Sequence, residues 1–256
     1  MSIRERVRRS AENPGLARAE VISRLEQARV MNGALNAFLR FYPYTEGAAA
    51  EAGGTLSGTV FAAKDCFQIP GMPLTYGFEP PLVAYSSAEA ALLRILRNEG
   101  AFLAGSTSLD EACLTSYGTN RHFGRTVNPF LSERSPLGSS SGSASAVAAG
   151  MVDFALGSDS GGSVRASAAA WGICGLKGSS GLLPCDGMVM AFPEFDEPGL
   201  IAPGIDDLIY LLNTCVPDRI EPLLSPDFEI LLPCKTELEL ISPSMMDDFA
   251  LTVSEL

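Results

Sequence analysis

The feature that most narrows the fold is a block of small residues across 138–181, where serine, glycine and alanine crowd two successive segments. The first, SPLGSSSGSASAVAAG at 135–150, is a serine- and glycine-rich loop running into a small-residue helix. The second, DFALGSDSGGSVRASAAAWG at 153–172, repeats the form as strand, glycine turn and helix. A flexible linker can share this composition. Here, however, each loop leads directly into alanine-rich text suited to close packing of backbone on backbone.

The flanking sequence supplies the rest of a sheet. Apolar residues at Leu16, Val21, Ile22, Leu25 and Val30 recur at helical spacing and predict a helix over 15–40. SGTVFAAKD at 57–65 reads as a short buried strand delivering Lys64 at its end. Residues 86–100 read as a helix, with Ser86 and Glu89 as a capping box and Gly100 as its stop. AFLAGST follows as a strand. This order predicts an α/β fold, one mixed sheet with helices on both faces. Further on, DDLIYLLNT at 206–214 reads as a helix, 228–232 as a strand candidate, and the text after Ser242 or Ser244 as a last helix. The whole chain, 1–256, is expected to form one domain.

The formal charge of −12 is uneven. Residues 192–256 hold fourteen acids against Arg219 and Lys235, which leaves 1–191 neutral. A chain with no basic stripe is poorly suited to nucleic acid. No run of about 18 apolar residues is present, which argues against a membrane span. The opening MSIRERVRRSAENPG lacks the apolar segment of a signal peptide. Six cysteines are scattered without a C-x-x-C pair, and the expectation is reduced thiols in a cytoplasmic protein.

The chain has a single histidine, His122, in the loop text GTNRHFGR with no nucleophile motif beside it. A zinc site built on several histidines is excluded, and neither a metal nor a cofactor is expected. A serine nucleophile here would most naturally use a lysine as base, and only Lys64, Lys177 and Lys235 exist. Lys64 ends an apolar strand; burial disfavours an ammonium, so a lysine there can accept a proton. The alternatives are a side chain reaching solvent or a pairing with Asp65. Ser163 follows a glycine turn, where backbone N–H groups from Ser160 through Gly161 and Gly162 to Ser163 could hold an anion. The plain alternative is that Ser163 caps a helix. A phosphate loop is disfavoured because G-x-x-x-x-G-K-[ST] is absent.

Taken together, AAKD at 62–65, LGSSSGS at 137–143, GSDSGGSVR at 157–165 and GLKG at 175–178 resemble the amidase signature family. Their order fits, and Ser139 lies 24 residues before Ser163, the family's own interval. GALNAF at 33–38, FGRTVNP at 123–129 and EFDEPGLIA at 194–202 extend the resemblance over 16–212, leaving an acidic segment at 213–256. The resemblance implies an amidohydrolase acting on a small carboxamide. Ser163 would be the nucleophile, Ser139, beside a cis peptide bond, the proton bridge, and Lys64 the base. The amides of Ser160–Ser163 would form the oxyanion hole. Leu137, Ser167 and Gly178 depart from the family pattern, which commonly has glycine, proline and proline there. The chain is also shorter than family members usually are. A second copy of the chain or a partner subunit is therefore a candidate partner. An inactive or partner-dependent form, including an amidotransferase-type subunit, is the alternative function.

Overall fold

In the computed structural model, the described residues are 1–43, 53–128, 130, 133–216 and 241–255. The chain divides into two compact units, Met1–Ile220 and Glu221–Leu256. In the second, the described element is a helix, Pro243–Glu255, directly after Ser242. The strand candidate at 228–232 lies outside the described residues.

The first unit is built on a six-stranded sheet. Its strands are β1 (Phe38–Phe41), β2 (Val60–Lys64), β3 (Phe102–Thr107), β6 (Phe154–Asp159), β7 (Cys174–Lys177) and β8 (Glu197–Ala202); β4 (Thr119–Asn120) and β5 (Gly124–Arg125) form a separate small ribbon. The sheet order is β1-β3-β2-β6-β8-β7. β2 runs parallel to both β3 and β6, whereas β1 on β3, and β8 on β6 and β7, are antiparallel. The sheet is therefore mixed, as expected.

Alternate residues of the central strands feed two separate cores. Phe61, Ala63, Phe154 and Leu156 pack with Leu92, Leu93 and Leu96 of α3 (Ala91–Asn98) and with Leu208 and Leu211 of α6 (Ile205–Cys215), together with Ile3 of α1 (Ile3–Glu12). On the opposite face, Val60, Ala62 and Ala155 meet α2 (Pro14–Leu35), α4 (Ser141–Ala148) and α5 (Arg165–Ala170). Helices thus cover both faces, and the small-residue block supplies two of the three helices on the second one. At Gly142, the second residue of α4, a Cβ would stand 2.4 Å from both the Ala37 carbonyl oxygen and the Ser108 nitrogen. Only glycine fits so close a backbone crossing.

Two sequence expectations are corrected. The helix over 15–40 stops at Leu35; Asn36 turns left-handed at φ 50° and the chain continues as β1. The Asn36 amide group donates to the carbonyls of Phe123 and Arg125, a contact that rewards the turn over another helical residue. The capping box at Ser86 and Glu89 does not form. The helix begins at Ala91; Ser86 donates to the Ala88 carbonyl, and Glu89 pairs with Arg97.

Candidate active site

The site lies where parallel strands β2 and β6 end and where the loops into α4 and α5 begin. Lys64, the last residue of β2, is fully buried. Its Nζ donates to Ser139 Oγ at 2.7 Å and to Ser158 Oγ at 2.9 Å, with the Ser158 carbonyl at 3.5 Å. The alternatives of a solvent-reaching lysine or a pairing with Asp65 are not what the structure has. Asp65 instead accepts from the backbone and hydroxyl of Thr75, and burial raises its carboxyl to about 6 despite those bonds.

The Gly138–Ser139 peptide bond is cis. Leu137, standing at the family's first glycine, is held left-handed at φ 50°, a conformation that explains glycine there and that leucine rarely adopts. Ser139 and Ser140 are fully buried. The Ser140 N–H donates to the Ser163 carbonyl at 3.3 Å, which ties the two serine loops together. The Ser163 hydroxyl has no hydrogen bond among the described residues. Ser163 is not a helix cap either: α5 starts at Arg165, after Val164. Ser167, at the family's proline position, donates to the Ser163 carbonyl at 2.7 Å and so braces the loop by another means.

Asp159 shapes the turn that carries Ser163. Its carboxylate accepts from the N–H groups of Gly162 (2.7 Å), Val164 (3.1 Å) and Arg165 (3.2 Å) and from the Arg165 guanidinium at 2.9 and 3.0 Å. Burial alone would raise its pKa; the Arg165 side chain and the backbone donors outweigh burial and hold it at about 2. The Gly162 N–H is thereby committed to Asp159. Among the expected anion donors this leaves the amides of Ser160, Gly161 and Ser163, which have no hydrogen bond among the described residues. Lys177 Nζ donates to the carbonyls of Ser160 and Phe195 at 2.8 Å each, which makes it a staple beneath the loop rather than a base. The Ser160 hydroxyl donates to Asp196, whose other oxygen accepts from Ala191 and Phe192. Lys235 lies outside the described residues. His122 is exposed on a turn, accepting from Arg121 Nε at 3.3 Å.

Sequence reasoning passed over Ser158 and Asp159, although both stand inside GSDSGGSVR. Period two does not find Ser158: the alternation puts Lys64 with Val60 and Ala62 on one face and Ser158 with Phe154 and Leu156 on the other, and the two meet only at the strand ends. Cys113 was also missed. Its Sγ stands 3.8 Å from Ser158 Oγ, and it enters from a turn far away in sequence.

A mixed α/β sheet with a buried lysine bonded to a serine at a cis peptide, beside a second serine on a glycine turn, defines a recognisable class of hydrolase-like fold. The chain belongs to the amidase family, whose family model, described as Amidase, matches residues 21–229. It is 36% identical over 201 residues to a glutamyl-tRNA(Gln) amidotransferase subunit of Sulfurisphaera tokodaii, covering 76% of this chain and 41% of that protein. Among solved structures it resembles the peptide amidase of Stenotrophomonas maltophilia (TM-score 0.73, 29% identity, 78% of this chain and 44% of that one). It also resembles a structure from a vestigial protein complex that reveals the evolutionary origins of an s-triazine catabolic enzyme (TM-score 0.78, 30% identity, 87% and 51%). The chain thus spans 41% of the curated relative's length and about half of the matched solved chains. No helix among the described residues is long and apolar enough to cross a membrane.

Proposed function

We propose that this chain carries the reacting groups of an amidohydrolase acting on a carboxamide. The observation that carries the reading is the 2.7 Å bond from buried Lys64 Nζ to Ser139 Oγ, on a loop tied to that of Ser163. In this reading Ser163 Oγ attacks the amide carbonyl carbon. Its proton passes to Ser139 Oγ while the Ser139 proton passes to the Lys64 amine. The amides of Gly161 and Ser163, with that of Ser160 alongside, stabilise the oxyanion, and Gly162 contributes by fixing their orientation through Asp159. The C–N bond breaks as the proton returns through Ser139 to the leaving nitrogen. Water then repeats the sequence on the acyl ester and regenerates Ser163.

The test is a fluorophosphonate probe on the folded protein, alongside ammonia release from a panel of simple carboxamides. Ser163 should be labelled, and Ser163→Ala and Lys64→Met should abolish labelling or slow it by about 10²–10⁴. Absence of a Ser163 adduct in folded protein would sink the reading. The likeness to an amidotransferase component supports a second one, in which a partner protein completes the function and the amide cleaved is that of glutamine. Glutamine turnover that needs an added partner, with simple amides inert, would favour it.

A further inference from the structure

Lys177 takes no part in the proton relay, yet it is built into the turn that carries Ser163. It is the last residue of β7, which lies at one edge of the sheet. A lysine on an edge strand ordinarily points to water and keeps other chains from pairing there. Lys177 instead turns inward, and its side chain is only 20% exposed. Its Nζ donates to the carbonyls of Ser160 and Phe195 at 2.8 Å each and stands 3.8 Å from Asp159 Oδ1. Phe195 belongs to the loop that leads into β8. The same loop holds Ser160 a second time through Asp196, which accepts the Ser160 hydroxyl and the N–H groups of Ala191 and Phe192.

A carbonyl that is held also aims the N–H of the next residue, because the C=O and N–H of a planar trans peptide point in opposite directions. The peptide bonds of this turn are trans; the cis bonds among the described residues are Glu79–Pro80 and Gly138–Ser139. Three successive peptide groups of the turn are pinned, each at one end. The Ser160 carbonyl accepts from Lys177, so the Gly161 N–H is directed away from the lysine. The Gly162 N–H donates to Asp159 at 2.7 Å, so the Gly161 carbonyl is directed away from that carboxylate. The Gly162 carbonyl accepts from the Ala166 N–H of α5 at 2.7 Å, so the Ser163 N–H is directed away from the helix. Asp159 and the first turn of α5 thus hold two of the planes, and among the described residues Lys177 is what holds the third. Gly161 is exposed, and a Cβ placed on it would meet nothing within 4 Å, so its unbonded N–H has room for a ligand atom.

We propose that Lys177 is a positioning residue for the oxyanion hole: it sets the Ser160–Gly161 peptide so that the Gly161 N–H meets the negative oxygen of the tetrahedral intermediate. The inference rests on the amidohydrolase reading and adds to it a residue outside the serine and lysine relay. The positive charge of a lysine contributes beyond geometry. A cation on the Ser160 carbonyl draws electron density out of the peptide and makes the Gly161 N–H a stronger donor, since hydrogen bonds in series polarise one another. The developing charge then meets a dipole already aimed at it, and nothing has to reorganise during the reaction. The Phe195 carbonyl braces the amine from the other side, which holds the turn against the loop entering β8.

The test compares the unmutated chain with Lys177→Met and Lys177→Arg, reading the turn by NMR after isotopic nitrogen labelling of glycine and the chemistry by amide turnover. In the unmutated chain the Gly162 amide, bonded to Asp159, should exchange its hydrogen more slowly than the open Gly161 amide. Equal rates or the reverse order would overturn the assigned peptide orientation, and that comparison needs no variant to fold. Lys177→Met should move the Gly161 amide resonance further than that of Gly142 in α4. It should lower kcat for a carboxamide by about 10- to 100-fold, part of the roughly 10²–10³ that loss of an oxyanion donor costs, with KM within about twofold. Lys177→Arg keeps the charge and the N–H donors and should fall between the two. A folded Lys177→Met that keeps kcat within about twofold would overturn the proposal. A loss of kcat with the Gly161 resonance unmoved would overturn it too, since a merely structural lysine behaves that way. An unmutated chain that neither cleaves amides nor takes the fluorophosphonate would sink the amidohydrolase reading and the oxyanion role with it, whereas an active chain with Gly161 unmoved removes the role of Lys177 alone.

Discussion

Asp159→Asn separates the charge that organises the nucleophile turn from the space it fills. The carboxylate is fully buried, accepts three backbone N–H groups and is clasped by Arg165, and its folded pKa is about 2 against an ordinary 3.8. A depressed folded pKa stabilises the protein above the unfolded value and is lost as pH falls through the folded one. The shift corresponds to about 2 kcal/mol at neutral pH, with roughly half gone by pH 3. An asparagine keeps one acceptor oxygen but turns an NH2 toward the backbone donors of Gly162 or of Val164 and Arg165, adding about 1 kcal/mol of mispairing. Urea titrations at pH 7 should therefore show the variant about 3 kcal/mol less stable, and the gap to the unmutated chain should narrow by about 1 kcal/mol at pH 3. Fluorophosphonate labelling of Ser163 should fall by about tenfold or more, because the turn is no longer fixed. Two stability curves that stay parallel from pH 7 to pH 3 would refute the reasoning, since the carboxylate would then be titrating alike in both states.

Four other substitutions test neighbouring parts of the argument. Ser158→Ala leaves Lys64 with Ser139 and one distant carbonyl; it should slow Ser163 acylation by about 10- to 100-fold with KM little changed, as kcat and KM measured separately would show. Asp153→Ala removes the common partner of Arg6 and Arg24, both bonded to it at 2.7 Å, and of the Val60 N–H; thermal or urea unfolding should show a loss of about 3–5 kcal/mol. Gly142→Ala should destabilise by about 3 kcal/mol, because backbone atoms of Ala37 and Ser108 must move. Gly33→Ala, in open space on α2, should instead gain up to about 1 kcal/mol in the same assay.

Lys64 was legible because a lysine at the end of an apolar strand is chemically out of place, and because one histidine and three lysines leave few bases to weigh. Ser139 was singled out from five neighbouring serines by its interval to Ser163, an argument from resemblance rather than from local chemistry. What was not legible depended on contacts distant in sequence. Leu35, Phe38 and Leu39 continue a helical pattern, and nothing local announces that Asn36 will be drawn to the β5 ribbon. Pro198 and Gly199 look like a turn, yet they lie within β8, between β6 and β7, where Gly199 admits Val164 at a distance that would place its Cγ2 2.8 Å from a Cβ. The commitment of the Gly162 N–H to Asp159 was likewise invisible, because the motif text shows which residues share a turn but not which amide points back to the strand.

The face onto which Lys64 projects is the deepest of these hidden facts, since a one-residue slip of β2 would send its amine to the opposite core. VFAAK has no polar alternation to fix that parity; every residue of β2 is buried. The distinction lies in size. Phe61 stacks on Phe154, its register partner, with ring centroids 5.3 Å apart, on the face covered by α3 and α6. Val60 and Ala62 occupy the other face, in the cluster that holds Ala144 and Ala146 of α4 and Ala155 of β6. The rings and the small residues therefore select one register between them, and with Ala63 opposite Leu156, Lys64 follows beside the end of β6, within reach of Ser158. The position of the base is thus set by steric matching two and three residues upstream, and the small-residue block that shapes the fold also makes room for the relay.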